Sequence, residues 1–332
     1  MTDARAVTAA VVGAGPVGAV HARALQRHSR TRLVAVCGRS SPRAERLARS
    51  LGVAAYLSVD EMMRAERPGV VCVCTGNKDH TEPTLAALRG GAHVFVEKPM
   101  AFALDEARAM VDTARDRGRT LGVNFNHRFS HPFQRALAFV AEGRLGDLCY
   151  LDMKFAGELY KDLNDPYSQL IETQGHSFDL LRLFGGAVAE VSATLADPRG
   201  IGVYTSAAVS LAFAGGAVGT LLGSWDSSYD HPHAQVLEVA GTSGRVVVDN
   251  VVDSVRFYRA GASEYTEWRP NLFDSGARDF WTTIDAHVDA FVDAVARDAP
   301  APVSGDDGLA ALELTYACIE SFERGTRVRV AA

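Results

Sequence analysis

A chain of 332 residues is too long for one typical core and suits two domains. Apolar residues make up 47% and charged residues 22%, an ordinary globular composition, and a formal charge of −6 offers no basic field for a polyanion, so nucleic-acid binding is not indicated. No run approaches the roughly 20 apolar residues of a membrane span, and MTDARAVTAAVVGAG passes straight into a strand pattern, leaving no room for a removable signal peptide.

Up to Asn124 the chain alternates short β-branched runs with helical patterns, the order that predicts βαβ units and a parallel, doubly wound sheet. The strands fall at Val7–Val12, Leu33–Cys37, Val70–Cys74, His93–Val96 and Thr120–Val123. The helices fall at Val17–Arg27, Pro42–Ser50, His80–Arg89 and Leu104–Arg117. Ser41-Pro42 reads as a helix start, and Gly90-Gly91 and Gly118 as helix stops. From residue 125 the pattern changes. Helices are expected at His131–Glu142 and Gln169–Phe184. Strands follow at Leu148–Gly157, Val188–Leu195, Val203–Phe213, Ala217–Trp225, Gln235–Ala240, Gly244–Asp249 and Ser254–Arg259, and two helices close the chain at Ala277–Arg297 and Gly308–Arg324. Consecutive strands predict a large, mostly antiparallel sheet in an α+β domain. The expected domains are therefore 1–124 for nucleotide binding and 125–332 for substrate binding and oligomerisation.

Five cysteines (Cys37, Cys72, Cys74, Cys149, Cys318) lie mostly in apolar runs, without C-x-x-C or His/Cys ligand spacing. They read as reduced, buried thiols, which fits the cytoplasm and argues against disulfides and structural zinc. Trp225, Asp226, His231 and His233 form a polar cluster, but His-Pro-His with no third ligand is a poor metal signature, and no metal is expected.

Gly13-Ala14-Gly15-Pro16-Val17-Gly18 is G-x-G-x-x-G between an apolar strand and a helix. Gly13 permits the tight turn, Gly15 lets backbone approach a pyrophosphate, Gly18 lets helix and strand pack, and the helix N-terminus at Pro16 and Val17 favours the anion. The hexapeptide alone is weak evidence; its context makes dinucleotide binding the reading. At the end of the second strand, where an acid would accept both ribose hydroxyls of NAD, the chain has Gly38-Arg39-Ser40 followed by Arg43. No carboxylate stands there to repel a 2′-phosphate, and Arg39, Ser40 and Arg43 suit it. NADP(H) is thus the expected cofactor and NAD(H) a possible one; the bland alternative is that both arginines are merely solvated.

Four segments carry a likeness to a known family: the glycine motif, Thr75-Gly76-Asn77-Lys78-Asp79-His80, Val94-Phe95-Val96-Glu97-Lys98-Pro99, and Gly175-His176-Ser177-Phe178-Asp179-Leu180-Leu181-Arg182. With the ending Pro302–Gly308, they make essentially the whole chain resemble the glucose–fructose oxidoreductase / inositol dehydrogenase / MocA family. The resemblance implies that Lys98 holds the substrate hydroxyl and assists its ionisation, and that His176 is general base in oxidation and general acid in reduction. It also implies that Glu97 and Pro99 fix the loop, through a Lys98–Pro99 bond that is a candidate for cis. The residue types suit the chemistry. Hydride leaves or joins a carbinol carbon, so a proton must leave or join its oxygen; imidazole titrates near working pH and an ammonium favours the alkoxide.

Two positions depart from the family's pattern. Glu172 stands where Asp is usual, four residues before His176, which puts both on one helical face but alters the reach. Gln174 stands where Gly is frequent. Thr75, Gly76, Asn77 and His80 are expected at the nicotinamide half of the cofactor cleft. Asn126 and Arg128, after the fifth strand, are expected at substrate or cofactor, with Arg128 equally able to bridge the domains. Tyr160 and Asp162, in a polar aromatic stretch with Lys161 and Tyr167, suit carbohydrate or are plain surface. By the resemblance, the reaction is hydride transfer between NADP(H) and a secondary alcohol or ketone of a sugar, cyclitol or related polyol, in a homodimer or homotetramer. Two alternatives are an enzyme that keeps its nicotinamide cofactor tightly bound for a net non-redox reaction such as glycoside cleavage, and a non-enzymatic ligand-sensing regulator.

Overall fold

The computed structural model describes residues 6–157, 163 and 165–330. The chain divides into two compact units, Met1–Asn126 with Thr283–Ala310, and His127–Thr282 with Ala311–Ala332.

In the first unit, strands β1 (Val7–Val12), β2 (Thr31–Cys37), β3 (Ala54–Tyr56), β4 (Val70–Val73), β5 (His93–Val96) and β6 (Leu121–Val123) form one sheet. Its order is β3-β2-β1-β4-β5-β6 and every pairing is parallel. Between them run α1 (Pro16–Arg27), α2 (Ser41–Leu51), α3 (Val59–Glu66), α4 (Thr81–Arg89) and α5 (Leu104–Asp116). β4 is buried at every position and β5 at all but its first, because a parallel sheet is covered on both faces and needs unbroken apolar strands. The order reverses between β1 and β4, which opens a crevice at the strands' carboxyl ends. β3 and α3 are not foreseen from the sequence: β3 has three residues, two half-buried and one exposed, too few to show a period.

The second unit contains α6 (His131–Ala141), β7 (Leu148–Ala156), α7 (Gly175–Gly185), β8 (Val188–Ala196), β9 (Ser206–Phe213), β10 (Val218–Ser224), β11 (Gln235–Gly241), β12 (Gly244–Asp249), β13 (Ser254–Arg259), β14 (Tyr265–Trp268), the short α8 (Ser275–Arg278) and β15 (Val328–Arg329). The nine strands make one sheet, β14-β13-β12-β11-β7-β10-β9-β8-β15. All neighbours are antiparallel except β7 and β10. β9 and β10 alternate buried and open positions, the mark of a sheet with one covered face. Val218 and Leu222 stand on the open face.

The expected boundary at 124/125 differs in one respect. From Thr283 on, α9 (Trp281–Ala296) and the start of α10 (Gly305–Arg324) count with the first unit, up to Ala310. The reason is apolar packing: Ile284, Val288, Phe291 and Val292 of α9 join Ala9, Val11, Cys72 and Phe95 in one core. Gly122 of β6 makes room for the Phe291 ring, which a Cβ there would approach to 2.8 Å.

Candidate functional site

The glycine turn after β1 builds one side of an open cleft of about 750 Å³. Gly13 has φ +117°, and a Cβ on it would lie 2.2 Å from the Cys74 carbonyl oxygen. A Cβ on Gly18 would lie 1.8 Å from the Gly13 carbonyl oxygen, so that glycine lets the turn close on α1. A Cβ on Gly15 would meet nothing within 4 Å. It would instead project into the cleft beside the start of α1, whose N-cap Gly15 gives no side-chain bond to the helix's first N–H groups. Bare backbone N–H groups, the positive helix end and a volume suited to a small molecule fit a dinucleotide pyrophosphate.

Pro16 and Val17 share this lining. Gly38, Arg39, Ser40 and Arg43 enter it from the end of β2 and the start of α2, and Thr75 and Gly76 from the segment after β4. Gly18, Asn77, His80, Glu97 and Lys98 are not on it. The end of β2 itself carries no carboxylate, but Asp79, Glu82 and Glu106 line the same cleft from other segments, and Asp79 Oδ2 lies 3.1 Å from Arg39 Nη2. The partner comes from another βα loop, which a reading confined to the β2 tip misses.

Beyond β5, Glu97 anchors the strand tip. Its Oε1 accepts from His21 Nε2 at 2.7 Å and from Asn124 Nδ2 at 2.6 Å, and its Oε2 accepts from the Lys98 N–H at 3.2 Å. The chain of bonds continues from Asn124 Oδ1 to His287 Nδ1 at 3.0 Å. Phe95 is flanked by both imidazoles, at 5.7 Å from His21 and 4.7 Å from His287. Burial by itself would raise the Glu97 carboxyl, but the bond and charge of His21, the Asn124 amide and the nearby Lys98 ammonium outweigh it and hold the group at about 2. Lys98–Pro99 is a cis bond. His80, expected on the cleft wall, is buried under this loop instead, where its Nδ1–H donates to the Pro99 carbonyl at 2.7 Å. Burial depresses its basicity, which suits a neutral donor. Sequence reasoning missed His21 and His287, because only the folded sheet brings α1 and α9 to Glu97.

In the second unit His176 is the second residue of α7 and only 5% exposed. Its ring stacks on His127, with centroids 3.7 Å apart and planes 6° from parallel. Gln235 Nε2 donates to His127 Nδ1 at 3.1 Å, which leaves the neutral ring's proton on Nε2. Phe280 meets His127 edge-on at 5.7 Å. The expected single helix over Gln169–Phe184 is broken: Gln169–Thr173 is a π-helical turn, and α7 starts after Gln174. Glu172 is fully buried in that turn, so the α-helical four-residue spacing to His176 does not apply. Gln174 donates to the Phe155 carbonyl at 3.2 Å and accepts from Ser177 Oγ at 2.8 Å. Its bulk is accommodated by Gly223 of β10, where a Cβ would lie 2.6 Å from Gln174 Nε2.

Other expected residues are engaged elsewhere. The Arg128 guanidinium is buried and doubly bonded to Asp179 of α7, through Nε at 2.8 Å and through Nη2. The expectation of substrate contact there therefore meets a group already committed to the second unit's own core. Asn126 donates to Thr283 Oγ1 at 2.6 Å and is buried. Tyr160, Lys161 and Asp162 lie outside the described residues. Tyr167 bonds Glu323 at 2.7 Å. Trp225 donates to Thr173 at 2.8 Å, Asp226 pairs with Arg199, and His233 with Asp249. All five cysteines are free thiols. Among the described residues no His, Cys, Asp and Glu side chains gather in a group of three placed for a metal, and no helix is long and apolar enough to cross a membrane.

Comparison with known proteins agrees with this architecture. Residues 7–125 match the model of the Gfo/Idh/MocA oxidoreductase family with a NAD-binding Rossmann fold, and residues 133–247 match a C-terminal domain model of the same family. The chain is similar to inositol 2-dehydrogenase of Rhizobium meliloti, 28% identical over 97% of this chain and 98% of that one. It is 40% identical to D-glucoside 3-dehydrogenase of Escherichia coli over 42% of this chain and 40% of that one. Among solved structures, a probable dehydrogenase from Thermotoga maritima superposes with a TM-score of 0.84 at 26% identity, covering 98% of this chain and 99% of that one.

Proposed function

The chain belongs to the Gfo/Idh/MocA oxidoreductase family, and from that premise we propose that it is a dehydrogenase or reductase moving hydride between a pyridine nucleotide and a secondary alcohol or ketone of a sugar, cyclitol or related polyol. NADP(H) is the proposed preferred cofactor, with NAD(H) accepted. The substrate class rests on the relatives named for inositol and glucosides. The carrying observation is in the first unit: an anion cradle at the start of α1, in the same sheet as a strand tip that presents Lys98 on a carboxylate-anchored loop. We assign nucleotide binding to this unit and substrate recognition to the second.

The nicotinamide, when bound, supplies the hydride acceptor or donor; the protein supplies binding and proton handling. Gly13, Gly15 and the first N–H groups of α1 hold the pyrophosphate. Arg39, Ser40 and Arg43 receive the adenosine end. Glu97, fixed by His21 and Asn124, holds the Lys98 backbone, and His80 holds the Pro99 carbonyl, so the Lys98 ammonium is presented from a rigid support. Lys98 then stabilises negative charge on the substrate oxygen, and His176 takes that oxygen's proton in oxidation or returns it in reduction.

The test is a panel of sugars, keto-sugars and cyclitols with NADP(H) and NAD(H), for wild type, Lys98→Ala and His176→Ala. Each variant is expected to lose at least about a hundredfold in kcat while still binding the nucleotide. Normal turnover by either variant removes that residue from the mechanism. We also propose a cytoplasmic home, on the five free thiols, and a homodimer or homotetramer formed through the open sheet face, checked by light scattering.

A further inference from the structure

We propose that Asp79 sets the balance between NAD(H) and NADP(H), acting in place of the acid that doubly wound folds usually carry at the end of β2. The proposal rests on the nucleotide reading of the cleft given above.

Three observations support it. First, Asp79 reaches Arg39, the residue that stands at the ribose-reading position, with 3.1 Å between Oδ2 and Nη2. Second, a built turn holds the Asp79 backbone. Thr75 Oγ1 donates to the Asp79 carbonyl at 2.7 Å, and the Asp79 N–H donates to the Gly76 carbonyl at 2.7 Å. Gly76 has no positive φ, so conformation does not require glycine; what a side chain there would do is crowd the Asp79 carboxylate. A Cβ on it would lie 2.9 Å from Asp79 Oδ2 and 4.0 Å from Arg39 Nη2. Third, the cleft is not a basic site. Arg39, Arg43 and Lys78 face Asp79, Glu82 and Glu106, three cations against three anions.

The consequence is a choice between two partners for Arg39. A ribose 2′-hydroxyl can donate to the Asp79 carboxylate without disturbing the pair. A 2′-phosphate is repelled by that carboxylate and gains Arg39 only by drawing it away. Asp79 thus keeps NAD(H) in use despite the arginines, and limits how far NADP(H) is favoured.

The experiment is a fluorescence titration of the full chain with NADPH and with NADH, read as the ratio of the two dissociation constants. Asp79→Asn leaves both backbone bonds of the turn in place. It is expected to shift the ratio about tenfold toward NADPH, the effect of removing one charge near a dianion in a solvated site. Arg39→Gln is expected to shift it about tenfold the other way, and Gly76→Ala, which displaces the carboxylate, to move it in the same direction as Asp79→Asn. A ratio for Asp79→Asn within about twofold of wild type, with both nucleotides bound, overturns the role of Asp79 and leaves the nucleotide site standing. A wild-type chain that binds neither nucleotide overturns both.

Discussion

Replacing Glu97 with Gln preserves shape and deletes a buried charge that organises the Lys98 tip. Glu97 is only 13% exposed and accepts bonds from His21, Asn124 and the Lys98 N–H. Its carboxyl sits at about 2 against an ordinary 4.5. At about 1.4 kcal/mol per decade, that difference contributes up to about 3 kcal/mol to folding at neutral pH. The sign follows from proton uptake. As pH falls below 4.5 the unfolded chain protonates Glu97 first, so the contribution is lost progressively and is gone once pH passes through about 2. The variant has no such group. Urea unfolding followed by circular dichroism, for both proteins from about pH 7 down to about pH 2.5, is expected to show a gap of up to about 3 kcal/mol that closes with acid. Every other carboxylate cancels in that difference. A gap that stays constant across the range, or lies below about 0.5 kcal/mol at neutral pH, refutes the idea that the His21–Glu97–Asn124 bonds favour the ionised form.

Asp179→Asn leaves the buried Arg128 guanidinium without its carboxylate and should cost about 3–5 kcal/mol, read as a lower urea midpoint at unchanged slope. Gly18→Ala forces the glycine turn away from α1, so NADPH affinity should fall at least about tenfold and the melting temperature should drop with it. Trp225→Phe keeps most of the packing but loses the donor to Thr173, for about 1 kcal/mol in the same unfolding assay. Gly223→Ala should destabilise by about 1–3 kcal/mol, and by less when Gln174 is already Gly, since the clash is with the Gln174 amide and, at 2.8 Å, with Gln169 Nε2, which stays.

The parts of the molecule legible in sequence are those whose signal is local. The glycine turn works through its own backbone, so Gly13, Gly15 and Gly18 announce their roles by spacing, and β1, β4 and β5 announce burial by unbroken apolar runs. Elements that borrow stability from elsewhere leave no such trace. β3 is held by pairing with β2, and the π-turn adds residues to a helical pattern without breaking it; α9 is legible as a helix, but its place in the core with β1 and β5 is not. The long reading of Gln169–Phe184 fails for that reason, and with it the face assigned to Glu172.

The same distinction governs the site. Several expected residues have a partner that decides what they do, and that partner comes from a different stretch of chain. Glu97 is an anchor because α1 brings His21 and β6 is followed by Asn124. Arg128 sits in the core because α7 brings Asp179. The Gln in place of the family's frequent Gly at 174 is tolerated because β10 offers Gly223. Arg39 read by itself argues for a phosphate; Arg39 paired with Asp79 argues for a balance of two cofactors. Sequence therefore ranks which side chains matter in this chain, while the direction of their effect is set by the neighbour the topology supplies. The Glu97 and Asp79 variants test this directly, because each removes a partner and leaves the recognisable motif intact.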